Sequence, residues 1–244
     1  MIFSVLTLFP GIFSSPLKES LLGKAVEKGL VDFNIVNIRD FADDQHRTCD
    51  DAPYGGGPGM VMKVEPIFKA MQHVTGAYGK ARVVLLSPQG RTFDQFTAGR
   101  FSRLSHVCLI CGRYEGIDER VLEYVDEEIS VGDYVVSGGE FPALVVIDAV
   151  ARFIPGVLGN DESVNTESFT EPLLEYPQYT RPENFMGMAV PPVLLSGNHE
   201  EIRRWRRKEA IRRTVLKRPD LLNGFEPGEE DKRLMREVMN EFPE

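Results

Sequence analysis

The chain predicts an α/β protein, a parallel sheet covered by helices, followed by a smaller helical unit. Three observations carry this expectation. Apolar, β-branched runs alternate with segments of helical period from Met1 to about Ile154. Two of the runs, RVVLLSPQG (82–90) and VCLIC (107–111), are apolar without a break in the way of strands buried on both faces. Beyond residue 160 the sequence turns polar and loses any period, and it then becomes a strongly basic helix.

Length and composition set the outer bounds. At 244 residues the chain accommodates one sizeable α/β core and a smaller second unit. Its hydrophobic fraction of 42% and charged fraction of 27% are ordinary for a globular protein. No stretch approaches a membrane-spanning length, and MIFSVLTLFPGIF reads as a strand entering a Pro-Gly turn rather than a leader. No membrane association and a cytoplasmic location are therefore expected. The odd set Cys49, Cys108 and Cys111 fits a reducing compartment. Cys108 and Cys111 have CxxC spacing, but they sit inside an apolar run with no second pair, so burial is expected and no metal site. The net charge of −9 argues against indiscriminate polyanion binding, although it hides a local reversal near the C-terminus.

In order, residues 2–8 are a strand, and Leu17, Leu21, Leu22 and Ala25 recur at helical spacing until Gly29. Residues 31–38 alternate as a second strand. From Arg39 to Gly59, RDFADDQHRTCDDAPYGGGPG supports no hydrophobic period. Its glycines lack the GK[ST] ending that a triphosphate-binding loop needs. The loop is either plain surface or a substrate contact through His46, Arg47 and Asp50. Residues 64–79 place Ile67, Ala70, Met71 and Val74 on one helical face. The run 82–90 delivers Leu86, Ser87 and Pro88 to the end of a buried strand, where open α/β sheets bind ligands. Residues 92–104 read as a helix and 107–111 as the next buried strand.

The densest punctuation follows. Gly112 to Gly116 (GRYEG) is a turn, and Ile117 to Tyr124 is a short helix with Val121 and Leu122 inward. ISVGDYVV (129–136) reads as a strand, with Gly132 marking a bulge or the close approach of a ligand. Residues 140–154 form an apolar helix with few polar members: Glu140, Asp148 and Arg152. Asp148 and Arg152, four residues apart, either pair with each other inside the core or serve function.

The segment 160–178 reads as a linker. Asn198 is an N-cap, and cations dominate from Arg203 to Arg218 with Glu209 the one acid. Ile202, Trp205 and Leu216 share a face that excludes Ile211 and Val215, so this helix is either covered on two sides or broken near Ala210. Its charges are either a solvated face or a phosphate contact. Trp205 either packs in a core or stacks on a base. The acidic tail after Gly224 reads as a terminal helix with little catalytic content.

The strings DDAPYGGGPGM, LLSPQGR, CGRYEGIDERV, SVGDYVVSGGE, RFIPGVLG, YTRPE and PPVLLSGNHEEIRRWR resemble, in unbroken order over about residues 1–220, the bacterial tRNA (guanine-N1)-methyltransferase family. The resemblance implies a SPOUT fold: a parallel α/β domain (1–160) with a deep trefoil knot in its C-terminal half, a flexible linker (161–178) and a helical tRNA-binding domain (179–244). It implies a homodimer with active sites at the subunit interface, acting on tRNA with guanosine at position 37. S-adenosylmethionine is the implied methyl donor, with Mg2+ as an optional accessory. The implied donor-binding residues are Leu85, Leu86, Ser87, Pro88, Gly112, Tyr114, Glu115 and Gly116. Ser130, Val131, Gly132, Asp133, Tyr134, Val135, Val136, Ser137, Gly138, Gly139 and Pro142 complete the donor site. The implied tRNA contacts are His46, Arg47, Asp50, Gly59 and Arg113. Arg152 corresponds to the arginine that stabilises the guanine anion. The family's general base is an aspartate whose position here holds Glu167, a departure that leaves Asp161 as a rival. Two other readings compete: a non-catalytic RNA-binding protein with a retained cofactor pocket, and a nucleotide-hydrolysing α/β enzyme.

Overall fold

The computed structural model describes residues 1–159 and 167–241. It divides into two compact units, Met1–Asp161 and Glu162–Glu244.

The first unit is built on strands β1 (Ile2–Thr7), β2 (Asp32–Asn37), β3 (Asp50–Asp51), β4 (Val61–Met62), β5 (Arg82–Thr92), β6 (His106–Cys111) and β7 (Glu127–Ser130). Five of them form one parallel sheet in the order β2-β1-β6-β5-β7, and β3 pairs with β4 as a small antiparallel ribbon. Helices α1 (Ser20–Glu27), α2 (Val64–Tyr78) and α3 (Gln95–Phe101) connect strands, and α4 (Glu140–Ala151) follows the last of them. Because strand side chains alternate, each central strand feeds two cores. Phe3, Val5, Val107, Leu109 and Cys111 pack with α4 on one face, while Leu6, Cys108 and Ile110 pack with α2 on the other. Cys108 and Cys111 thus point to opposite faces of the sheet, which is why their CxxC spacing makes no pair. Burial pushes the Cys108 thiol up to about 12.

Three elements differ from the periodicity reading. The loop 39–59 contains half of a strand pair, because Asp50–Asp51 folds back on Val61–Met62. β5 does not stop at Gly90. It slips in register, so that Leu86 and Arg91 both face Ile129 and residues 87–90 bulge outward. A Cβ on Gly90 would lie 2.4 Å from the Ile129 nitrogen, so only glycine fits this bulge. β7, expected to run to Val136, ends at Ser130, and Gly132 then takes φ of 146°. Asp148 also differs, since it is exposed and not inside the core.

In the second unit a two-stranded ribbon, β8 (Asn184–Phe185) and β9 (Met188–Ala189), precedes α5 (His199–Lys217) and α6 (Glu229–Asn240). Helix α5 is continuous through Ala210. Its inward side is Ala210, Ile211 and Thr214, and Ile211 packs with Leu173, Leu234 and Val238. The face expected to carry Leu216 inward is wrong at that residue, which is 54% exposed. Among the described residues no helix is long and apolar enough to cross a membrane.

Candidate functional site

The carboxyl ends of β5 and β7 and the start of α4 meet around a cleft. Leu86, Ser87 and Pro88 come from the β5 bulge, and Ile129, Ser130, Val131, Gly132, Tyr134, Val135 and Val136 come from the end of β7 and the loop after it. Gly138, Gly139 and Pro142 close the third side. The walls are mostly apolar and the polar groups are mostly backbone, as in sites for flat, apolar-faced ligands. The cleft is narrow, about 60 Å³. Tyr134 narrows it: a Cβ on Gly132 would stand 2.5 Å from the Tyr134 ring, whose hydroxyl donates to the Val131 carbonyl at 3.3 Å.

Behind the cleft lies a buried charge. Glu140 opens α4, where a carboxylate is favoured by the helix dipole, and it is 0% exposed. The Thr7 hydroxyl donates to Glu140 Oε1 at 2.7 Å, joining β1 to α4. Arg113 Nε stands 2.9 Å from Glu140 Oε2, yet neither atom makes an aligned hydrogen bond, so this contact is a charge pair. The same guanidinium lies 4.5 Å from the centre of the Phe9 ring and donates through an Nη to the Ser137 carbonyl at 3.0 Å. The turn is pressed onto this node. The Gly139 amide donates to the Gly112 carbonyl at 2.9 Å. A Cβ would meet the Arg113 side chain at 2.3 Å from Gly138, and the Cys111 backbone at 2.6 Å from Gly139. Glu140 was read from the sequence only as a polar member of an apolar helix. An acid directly after Gly-Gly, at the first turn of a helix otherwise apolar, was the available signal.

Other expected residues fall elsewhere in the first unit. Leu85 faces the α2 core, while Gly112, Tyr114, Glu115, Gly116, Asp133 and Ser137 do not line the cleft. Glu115 is held against the glycine-rich loop: its amide donates to the Met60 carbonyl at 3.0 Å, and a Cβ on Gly59 would overlap its carboxylate at 2.4 Å. Gly59, Met60 and Glu115 are thus brought together, and the Met62 amide donates to the Gly116 carbonyl in the same seam. Asp50 sits half-buried in β3, His46 is exposed, and exposed Arg47 pairs with Asp40 at 2.8 Å. Arg152, half-buried, caps the C-terminus of α4.

In the second unit Glu167 lines a separate, larger cavity of about 480 Å³. Asp161 lies outside the described residues. The basic helix is not a bare cationic face. Arg203, Arg204, Arg207, Lys208 and Arg212 all pair with carboxylates of α6 or the residue after it, among them Arg207 with Asp231 at 2.7 Å and Lys208 with Glu237 at 3.0 Å. Trp205 is half-buried with its ring 6.3 Å from that of Tyr179.

A parallel sheet with a glycine-lined, apolar-walled cleft at its carboxyl edge defines an α/β protein with a site for a small flat ligand. The profile of the family described as tRNA (Guanine-1)-methyltransferase TrmD matches residues 1–224. The chain is 55% identical over 240 residues to the tRNA (guanine-N(1)-)-methyltransferase of Dictyoglomus turgidum, covering 98% of this chain and 97% of that protein. It is 56% identical over 239 residues to the same-named protein of Citrifermentans bemidjiense, covering 98% and 96%, and 53% identical over 234 residues to that of Geobacillus kaustophilus, covering 96% of each. The chain belongs to this methyltransferase family. These relatives carry the names of enzymes, which leaves the non-catalytic reading without support.

Proposed function

We propose that the chain transfers the methyl group of S-adenosylmethionine to N1 of guanosine 37 in tRNA, the nucleoside 3′ of the anticodon. The observation that carries the reading is the family match, continuous over residues 1–224. The cleft residues fit the donor. Leu86, Ile129, Val131, Val136 and Pro142 offer apolar walls to an adenine ring, and the backbone at the glycine turns offers hydrogen bonds to its edge. Rotation of the exposed Tyr134 ring off Gly132 widens the cleft for the rest of the molecule. In this reading Leu85 and Gly112 support the cleft from behind, Asp133 and Ser137 belong to its exposed loop, and Tyr114, Glu115 and Gly116 organise its outer edge.

When bound, S-adenosylmethionine supplies a methyl carbon on a cationic sulfur, with a neutral thioether as leaving group. The chain has three tasks. Glu167 takes the N1 proton, Arg152 stabilises the negative charge that develops on O6, and the loop with His46, Arg47, Asp50 and Gly59, together with Arg113, holds the nucleotide in line. A glutamate in place of aspartate reaches about one C–C bond further, and an error near 1 Å costs on the order of 10²-fold, so the backbone around Glu167 must compensate.

Residues 179–244 are the tRNA-binding domain and residues 161–178 the linker before it, within a knotted SPOUT fold. Val135 (88% exposed), Phe141 (57%) and Val145 (52%) form an uncovered apolar surface beside the cleft, which a second copy of the chain would cover in a homodimer. Mg2+ is an accessory ion in this reading, and a tRNA substrate implies a cytoplasmic enzyme.

Single-turnover methylation of a tRNA transcript tests the proposal. Methyl should enter at N1 of guanosine 37, and no incorporation at saturating donor overturns the function. Glu167→Gln should abolish transfer, with a fall of at least about 10²-fold, while donor affinity stays near that of the parent. Retained turnover would move the proton acceptor to Asp161.

A further inference from the structure

Once the α5–α6 pairs are accounted for, the cations of α5 sort by face. Taking 100° per residue, Arg206, Arg213 and Lys217 fall within about 40° of one another, a stripe roughly 16 Å long. Among the described residues none of the three has a carboxylate within ion-pair distance, while of the paired cations Arg204 and Lys208 lie on the opposite side of the helix, Arg207 and Arg212 on its flanks and Arg203 next to the stripe. Arg206 instead stacks on a ring, its guanidinium 4.9 Å from the centre of Tyr176.

Tyr176 and Arg206 are also a shared wall. On one side lies the cavity of about 480 Å³ that contains Glu167, with Leu173, Leu174, Ile202 and Ala210 as apolar lining. On the other lies a cavity of about 420 Å³ lined by Pro177, Tyr179, Val190 and Leu194. Both volumes suit one aromatic heterocycle with its sugar. Carboxylates line the first cavity together with His199, Arg203, Arg206 and Arg207. Glu171 already accepts from Arg207 at 2.6 Å and Glu175 from Gln178 at 2.6 Å, and Glu167 is the third. The same carboxylates suit the amino groups of a base. The two features together separate a base site from a backbone track.

We infer that this region of the second unit binds unpaired RNA, one unstacked base resting against the Tyr176–Arg206 pair and the phosphates following the Arg206, Arg213 and Lys217 stripe. The inference rests on tRNA being the substrate and adds which nucleotides the domain grips: unpaired loop residues, not a duplex. Bases stack on aromatic and guanidinium planes without demanding a sequence, and single strands expose that face. An A-form stem offers the stripe phosphates but nothing to the cavities.

The full-length protein tests this with an anticodon stem-loop RNA carrying 2-aminopurine at one loop position at a time. Wild type should quench one or two loop positions and none in the stem. Tyr176→Leu should lose the quench and Tyr176→Phe should keep it. Arg206→Ala, at an exposed site without an ion partner, should bind the RNA about tenfold more weakly with donor affinity unchanged. Arg213→Ala and Lys217→Ala should each lower the slope of log affinity against log salt by about one. Uniform quenching and affinity across the variants, with wild type still methylating, overturns the inference. A wild type that quenches a loop position yet transfers no methyl overturns the proposed function and leaves this site standing.

Discussion

The two units use the same chemistry, carboxylates against guanidinium groups, to opposite ends. In the first, Glu140 is buried and meets Thr7 and Arg113 at the junction of β1, β6, the 137–139 turn and α4. In the second, the acids of α6 lie along α5 in largely exposed pairs. Desolvation decides the difference. A buried carboxylate without its partners is costly, so it fixes where its neighbours sit, whereas an exposed pair is screened and contributes little. The first arrangement positions a cleft; the second cancels charge along a helix and leaves a chosen stripe uncancelled.

The largest effect should come from breaking the buried node. Glu140→Ala leaves Arg113 facing a low-dielectric space and the Thr7 hydroxyl without its acceptor, and it should cost about 3–5 kcal/mol in urea unfolding. Glu140→Gln keeps an acceptor for Thr7 and should cost less. A loss for Glu140→Ala no larger than that of an exposed pair would erase the contrast between the units.

How much of this was legible in the sequence follows the same division. The parallel strands, α2 and the cleft-forming turns were readable because local period and turn chemistry fix them. The end of β7 was not, since the apolar run 129–136 continues past the point where Gly132 turns the backbone away, and its exposed valines read as strand. The buried strand end at 82–90 marked Leu86, Ser87 and Pro88 by itself; the family strings added the residues between Ser130 and Pro142, of which Asp133 and Ser137 do not line the cleft. The strings gave no hint that Glu115 lies against Gly59, because that contact joins segments far apart in the chain. The second unit was the least legible. A basic run and an acidic tail were each visible, but only folding shows that they neutralise each other, and the pattern left open whether the helix is broken near Ala210 or covered on the side of Ile211, which the continuous helix with Ile211 in its core decides.

A smaller effect should follow at Asp231, the most buried acid of the α5–α6 set at 9% exposure. Hydrogen bonds from Arg207 hold its carboxyl below the usual carboxylate range. Its stabilisation is therefore present above the unfolded value near 3.9 and is lost as pH falls through the lowered folded value. Asp231→Asn should cost about 1–2 kcal/mol at neutral pH and make the unfolding of the second unit less sensitive to acid. Equal acid sensitivity in parent and variant would show that this pair does not couple protonation to folding.

The smallest stability effect should come from Glu237, a half-exposed acid that pairs with exposed Arg204 at 2.5 Å and with half-buried Lys208 at 3.0 Å. Glu237→Gln should leave the thermal midpoint close to that of the parent, because exposed pairs are solvated in either state. Its consequence should appear in binding instead. Uncovering Arg204 and Lys208 gives α5 a second cationic side, so affinity for a duplex RNA without loop nucleotides should rise, with a steeper dependence on salt. Binding of a loop-bearing RNA should change less, because Arg206, Arg213 and Lys217 are uncancelled already. If duplex binding does not respond, the acids of α6 hold the helix pair together without shaping the field that RNA meets.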